Sequence, residues 1–194
     1  MKIFVISQPK AGTYLCANIL RELGFKFNQY HFGEKKYEKY PEPGAVNYAN
    51  KLKNPKAFEL ETRMPLEESL TLIEDSHVGV GHLMYSRKNQ SLLKEFKKIV
   101  LTRPRHEIIE SLERWERYSG RKKTNLDHTL ARCDSVEKWI GDDDVFHMTF
   151  KDMKEIDTEK IDRLQDFLKI NHRYDSKKIC LNALSKPSIT KIIL

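Results

Sequence analysis

Apolar positions along this chain fall into short runs that alternate with stretches of helical spacing. "KIFVIS" at 2–7 is a continuous apolar run, the mark of a short strand buried on both faces. It ends in the polar turn "QPKAGT". Leu15, Ile19, Leu20 and Leu23 then share one side of a helix over 13–23, and Gly24 stands at its C-cap. Residues 30–56 are rich in Tyr, Lys, Pro, Gly and Asn and read as loop, within a loop-rich insertion at about 25–60. Further along, the pattern predicts a helix over 65–75, a strand at "HVGVGHL" (77–83), a helix over about 88–96 and a strand at "KKIVLTRP" (97–104). Pro104 opens the next helix, where its missing N–H has no intrahelical partner to lose. Ile108, Ile109, Leu112 and Trp115 recur at helical spacing through it. After a polar segment, "DVFHMTF" (144–150) predicts a strand, and 158–169 a helix with Ile161, Leu164, Phe167 and Leu168 inward. Strand and helix alternate throughout, which predicts a parallel α/β sheet in a single domain over 1–194.

Composition narrows the class. The chain is 39% hydrophobic and 32% charged, as in soluble globular proteins. No run approaches the ~20 apolar residues a membrane span needs. The apolar run near the N-terminus is too short for a signal peptide. Cys16, Cys133 and Cys180 show no metal-ligand or disulfide spacing, so free thiols in a cytoplasmic, reducing compartment are expected. The net charge of +7 favours an anionic partner, but the lysines are scattered in pairs over the sequence. No basic stripe with interleaved aromatics points to nucleic acid.

Two stretches carry candidate chemistry. "SQPKAGTYL" lies where a strand passes into a helix, the place where α/β sheets bind anions on helix N–H groups. Lys10 adds a point charge there. It is not a Walker A loop, because Lys10 precedes Gly12 instead of following a second glycine. Taken alone, the stretch is equally a turn between a strand and a helix. In "VLTRPRHEIIES", Arg103 follows a strand and Ser111 stands eight positions on, so that a guanidinium fork and a hydroxyl converge on one phosphate.

Together, "PKAGTY" and "TRPRHEIIES" resemble the sulfotransferases that use 3′-phosphoadenosine 5′-phosphosulfate (PAPS). "VFHMTFKDM" and "KIDRLQDFLKI" extend the resemblance over residues 1–24 and 77–170. It implies a single-domain three-layer α/β sandwich with a central mainly parallel sheet, similar to P-loop NTPases. It also implies sulfuryl transfer from PAPS to a hydroxyl or amine, leaving the desulfated product PAP. By the resemblance, Lys10, Ala11, Gly12, Thr13 and Tyr14 hold the 5′ end of the donor, and Arg103 and Ser111 its 3′-phosphate. Lys10 is also catalytic, stabilising the departing phosphate. No metal is expected.

His82 ends its strand 21 residues before Arg103, close to the position of a catalytic histidine in cytosolic members. The resemblance makes it the preferred general base; a neutral imidazole accepts a proton near pH 7. The rival is Glu61 in "LETRMP", otherwise read as the start of a surface helix. Ala11, Tyr14, Leu15 and Val80 depart from the residues common in the family. The late glycine-rich donor loop is not recognisable in "LSKPSITKIIL"; either Lys186 or Lys191 substitutes for it, or the 3′-phosphate site is built more sparingly. The acceptor is expected to be a small molecule or glycan. Aromatic residues such as Tyr30, His31, Tyr37, Tyr40, Tyr48, Trp115 and Tyr118 are available to line its pocket, without individual assignment. The competing readings are a P-loop kinase and a non-catalytic basic module that binds polyanions.

Overall fold

The computed structural model describes residues 1–39, 60–119 and 123–186. Its strands are β1 (Lys2–Ser7), β2 (Tyr30–Phe32), β3 (Lys36–Lys39), β4 (Leu60–Arg63), β5 (Val78–Gly81), β6 (Phe96–Thr102) and β7 (Val145–Thr149). The helices are α1 (Thr13–Glu22), α2 (Leu66–Ser69), α3 (Arg87–Leu92), α4 (Arg105–Ser119), α5 (Leu126–Glu137), α6 (Phe150–Lys154), α7 (Thr158–Phe167) and α8 (Ser176–Ser185). Single 3₁₀ turns follow α2 and α5.

The strands form one sheet in the order β4-β3-β2-β5-β1-β6-β7. β1 lies at its centre because it is apolar on both faces. Ile3 and Val5 pack on one side with Ile19 and Leu20 of α1, Leu164 of α7 and Ile179 of α8. Phe4 and Ile6 pack on the other with Leu66, Leu70, Leu93 and Trp139. The period-two alternation of a strand thus divides the core between two helical layers. The three-layer α/β sandwich follows. β1 pairs parallel with β5 and β6, β6 with β7, and β2 with β5. Only β2–β3 and β3–β4 are antiparallel.

Most elements stand where the hydrophobic pattern put them, and Gly24 has the left-handed φ of +92° that the end of α1 requires. Three differences are informative. The segment read as loop contributes β2 and β3, and β4 follows at 60–63; residues 40–59, with Tyr40 and Tyr48, lie outside the described residues. β2 is only three residues long and β3 is nearly all polar, which is why neither shows as an apolar run. Glu61 does not start a helix: it lies in β4, paired with Glu38. The polar segment before β7 holds α5, and the C-terminal region holds α8, whose buried face is mainly the small residues Cys180 and Ala183 beside Ile179. All three cysteines are free thiols, and each is buried.

The β2–β5 junction depends on the absence of a side chain at Gly81. A Cβ there would lie 2.4 Å from the carbonyl oxygen of Phe32, a backbone atom that cannot swing aside. Gly141 has nothing within 4 Å of such a Cβ. Gly81→Ala is therefore expected to lose about 2–3 kcal/mol in urea unfolding, and Gly141→Ala to stay within about 0.5 kcal/mol of the parent.

Candidate functional site

Parallel pairing sets the carboxyl ends of β5, β1 and β6 side by side: Ile6 faces Gly81 on one flank and Val100 on the other. The residue that follows each strand end is thereby delivered to one edge. These are Gln8, His82 and Arg103. After β1 the chain crosses toward β2, whereas β5 leads to β6 on the other flank of β1. That reversal of direction is where open α/β sheets form their binding crevice.

The turn after β1 has two left-handed residues, Lys10 (φ +63°) and Gly12 (φ +87°). The lysine conformation costs about 1 kcal/mol, and it persists only because the surroundings dictate it. Gly12 is required for packing as well, since a Cβ would lie 2.6 Å from the Phe150 ring. The first intrahelical bond of α1 runs from Cys16 N–H to the Gly12 carbonyl at 3.0 Å. The N–H groups of Thr13, Tyr14 and Leu15 therefore precede the first intrahelical bond, at the positive end of the helix.

Arg103 is brought against this turn. Its Nη1 donates to the Lys10 carbonyl at 3.1 Å, its Nε donates to Glu107 at 2.8 Å, and its guanidinium stacks on the Phe150 ring at 4.1 Å. The backbone N–H of Arg103 donates to Gln8 Oε1 at 2.8 Å, while Gln8 Nε2 donates to Glu137 and to the Cys133 carbonyl. Gln8 is fully buried and links the ends of β1 and β6 to α5. Arg103 stands just before α4 and pairs with Glu107, from which Ser111 and Trp115 follow at i,i+4 spacing on one face of the helix. Lys10 touches both ends of that row, because its Nζ rests 4.7 Å from the centre of the Trp115 ring. Ser111, buried at 7% exposure, is the middle of the row.

Among the described residues no carboxylate pairs with the Lys10 ammonium. Burial first, then the positive charges of Arg103 and Arg114, lower its pKa to about 8.

On the β5 side, His82 Nδ1 lies 2.7 Å from the Ser7 carbonyl oxygen and 3.1 Å from Ser7 Oγ. A carbonyl only accepts, so Nδ1 carries the hydrogen and the neutral ring keeps its lone pair on Nε2. Ser7 Oγ is in turn 2.7 Å from Thr13 Oγ1, which links the base to the first residue of α1. His31 lies beside His82, with ring centroids 4.6 Å apart, and its Nδ1 is 3.2 Å from the Tyr14 hydroxyl. The other histidines of the sheet have structural partners: His77 bonds the Asp75 carbonyl and His147 bonds Thr102.

Of the sequence candidates, Lys10, Ala11, Gly12, Thr13, Tyr14, His82 and Arg103 thus belong to one edge of the sheet, and Ser111 lies on the helix that follows Arg103. Lys186 does not join them. It pairs with Glu22 in the last turn of α1, about 13 Å of helix away from Thr13. Lys191 lies outside the described residues. Gln8, the contact of His31 with His82 and the role of Phe150 were missed. The only sequence signal for Phe150 was its place in the family-like "MTFKDM"; nothing local marks Gln8 or His31.

No protein-family model matches the chain, and no curated protein matches it significantly. Solved structures do. Retinol dehydratase, in complex with androsterone and the inactive cofactor PAP, superposes with a TM-score of 0.58 at 13% identity. Mouse sulfotransferase SULT7A1, complexed with PAP, gives 0.56 at 16% identity. The chain has the sulfotransferase fold. These alignments cover 94% and 98% of the chain, which spans 63% and 65% of the two neighbours' own lengths.

The Lys10 shift has a consequence for stability. In the folded chain the ammonium loses its proton near pH 8, and in the unfolded chain near 10.5. Between those values the unfolded state binds more protons, so stability rises with pH across the window. Lys10→Met should remove that slope in urea unfolding at pH 7.5, 9 and 10, and should gain most over the parent at the lowest of the three.

Proposed function

We propose that this chain is a sulfotransferase that uses PAPS and a hydroxyl of a small-molecule or glycan acceptor. One observation carries the reading: in a sulfotransferase fold, the Arg103 guanidinium bonds the left-handed Lys10 turn that opens α1, and the charges of Arg103 and Arg114 act on the Lys10 ammonium. Burial first and then these two charges lower the lysine pKa, and a bound anion would offset the charges. The donor fits this set of groups. The first-turn N–H groups of α1, the Thr13 hydroxyl and Lys10 would hold one phosphate, and Arg103 with Ser111 the other. Ala11 and Gly12 form the turn that brings these N–H groups together, and Tyr14 contributes its backbone N–H.

When bound, PAPS supplies an activated sulfuryl group whose departure leaves negative charge on a phosphate. The Lys10 ammonium stands where it opposes that charge, an interaction stronger in the transition state than before it. His82 accepts the acceptor's proton at Nε2, while its Nδ1–H stays on the Ser7 carbonyl. Glu61 remains the rival base by its family-like string. Three unpaired cysteines support a reducing, cytoplasmic compartment. For the acceptor class, the androsterone held by retinol dehydratase favours a small molecule.

PAP binding followed by calorimetry tests the donor site. Arg103→Ala should weaken PAP by about 30- to 150-fold, the worth of a charge-assisted contact of about 2–3 kcal/mol. Affinity of the parent should fall as pH rises past about 8, approaching tenfold per unit, because Lys10 must be protonated to bind an anion. No heat or thermal shift with PAP, together with magnesium-dependent consumption of ATP, would overturn the reading in favour of a kinase.

Incubation with labelled PAPS and an acceptor panel tests the reaction. His82→Ala should lower turnover by about 10²- to 10⁴-fold and leave PAP affinity unchanged. An equal loss in both would move His82 from the chemistry to the donor site.

A further inference from the structure

We propose that His31 and Tyr14 are positioning residues for His82, forming a half-buried brace that holds its ring with Nδ1 on the Ser7 carbonyl. The inference deepens the sulfotransferase reading and rests on it for the catalytic consequence, though not for the geometry.

His31 reaches this place through register. β2 pairs parallel with β5, placing His31 opposite Val80 and Phe32 opposite Gly81. His82 follows directly. The two imidazoles meet at 63° between planes with 4.6 Å between centroids, an edge-on contact. From the other side, the Tyr14 hydroxyl meets His31 Nδ1 at 3.2 Å, and the Tyr14 ring tilts against His31 with centroids 6.2 Å apart. Tyr14 itself is the second residue of α1, and its neighbour Thr13 bonds Ser7 Oγ. A closed circuit results: Ser7 to His82, His82 to His31, His31 to Tyr14, and along α1 back through Thr13 to Ser7. Each member fixes the next.

The charged and titratable groups around His31 keep it neutral. Burial and then His82, Arg132 of α5 and Lys36 of β3 hold its pKa well below the ordinary imidazole range. Tyr14 contributes only a neutral hydroxyl. Two positive rings this close would repel, so charge on His82 is one of the causes that keep His31 neutral. A neutral His31 braces the base without opposing the positive charge that forms on it.

The circuit also gives the Tyr14 side chain a use apart from the donor. Its backbone N–H stays in the helix's first turn, whereas its hydroxyl is directed to the base. A threonine at this position is too short to reach His31 in the same way.

Nitrogen-resolved NMR of the imidazole rings tests the brace without any donor or acceptor. In the parent, neutral His82 should be almost wholly the Nδ1–H tautomer, and His31 should not titrate with it. His31→Ala should convert His82 to a mixture of tautomers, and Tyr14→Phe should do so to a smaller degree. Tyr14→Phe removes a single oxygen atom and keeps the test available if His31→Ala does not fold. A His82 tautomer unchanged in the folded variants would overturn the proposal. In turnover assays, His31→Ala should lower kcat about tenfold to a hundredfold with KM for PAPS within about twofold, and His31→Gln, which retains a partner for Tyr14, should recover part of the loss. A parent that binds no PAP would sink the sulfotransferase reading and leave the NMR result to decide the brace by itself.

Discussion

The structure depends on the parallel pairing of β1 with both β5 and β6. Each of these strands is buried along most of its length, so no polar face competes to set a different register. Once Ile6 is level with Gly81 and Val100, the positions of Gln8, His82 and Arg103 follow without further specification. A slip of one residue would turn every core side chain to the wrong layer. The chemistry at the edge is therefore as well determined as the core.

Gln8 shows how this determination extends beyond the strands. A buried primary amide has to satisfy both its oxygen and its nitrogen, and this one uses the Arg103 N–H, the Cys133 carbonyl and Glu137. Loss of any partner leaves an unmatched polar group in the interior. The arginine backbone is thus fixed by hydrogen bonds that have nothing to do with its charge, and its side chain is fixed again by Phe150 and Glu107. Such double support is what a binding group needs to meet its ligand without reorganising.

Much of the fold was legible in the sequence where burial is two-sided. "KIFVIS" and "KKIVLT" announce central strands because water touches neither face, and α7 declares itself through Ile161 and Leu164 at helical spacing. β2 and β3 escaped because edge-side strands of three and four residues carry little apolar signal. α5 and α8 escaped because small or polar residues such as Cys133, Ser135, Cys180 and Ala183 occupy much of their buried faces. Within the site, Lys10, Gly12 and Arg103 were visible through their places at strand exits. His31 was not, since its relation to His82 is a matter of register between strands almost fifty residues apart. Among the alternatives for the late donor loop, Lys186 could not be set aside from sequence, because its partner Glu22 is known only from the fold.

The resting contact of Lys10 with the Trp115 ring has an optical consequence. An indole under an ammonium emits differently from the same indole without it, and the second tryptophan, Trp139, is sealed in the core. Withdrawal of the lysine toward an arriving anion would change the light of one ring while the other stays constant. The molecule thus carries its own dye, at the position where occupancy matters.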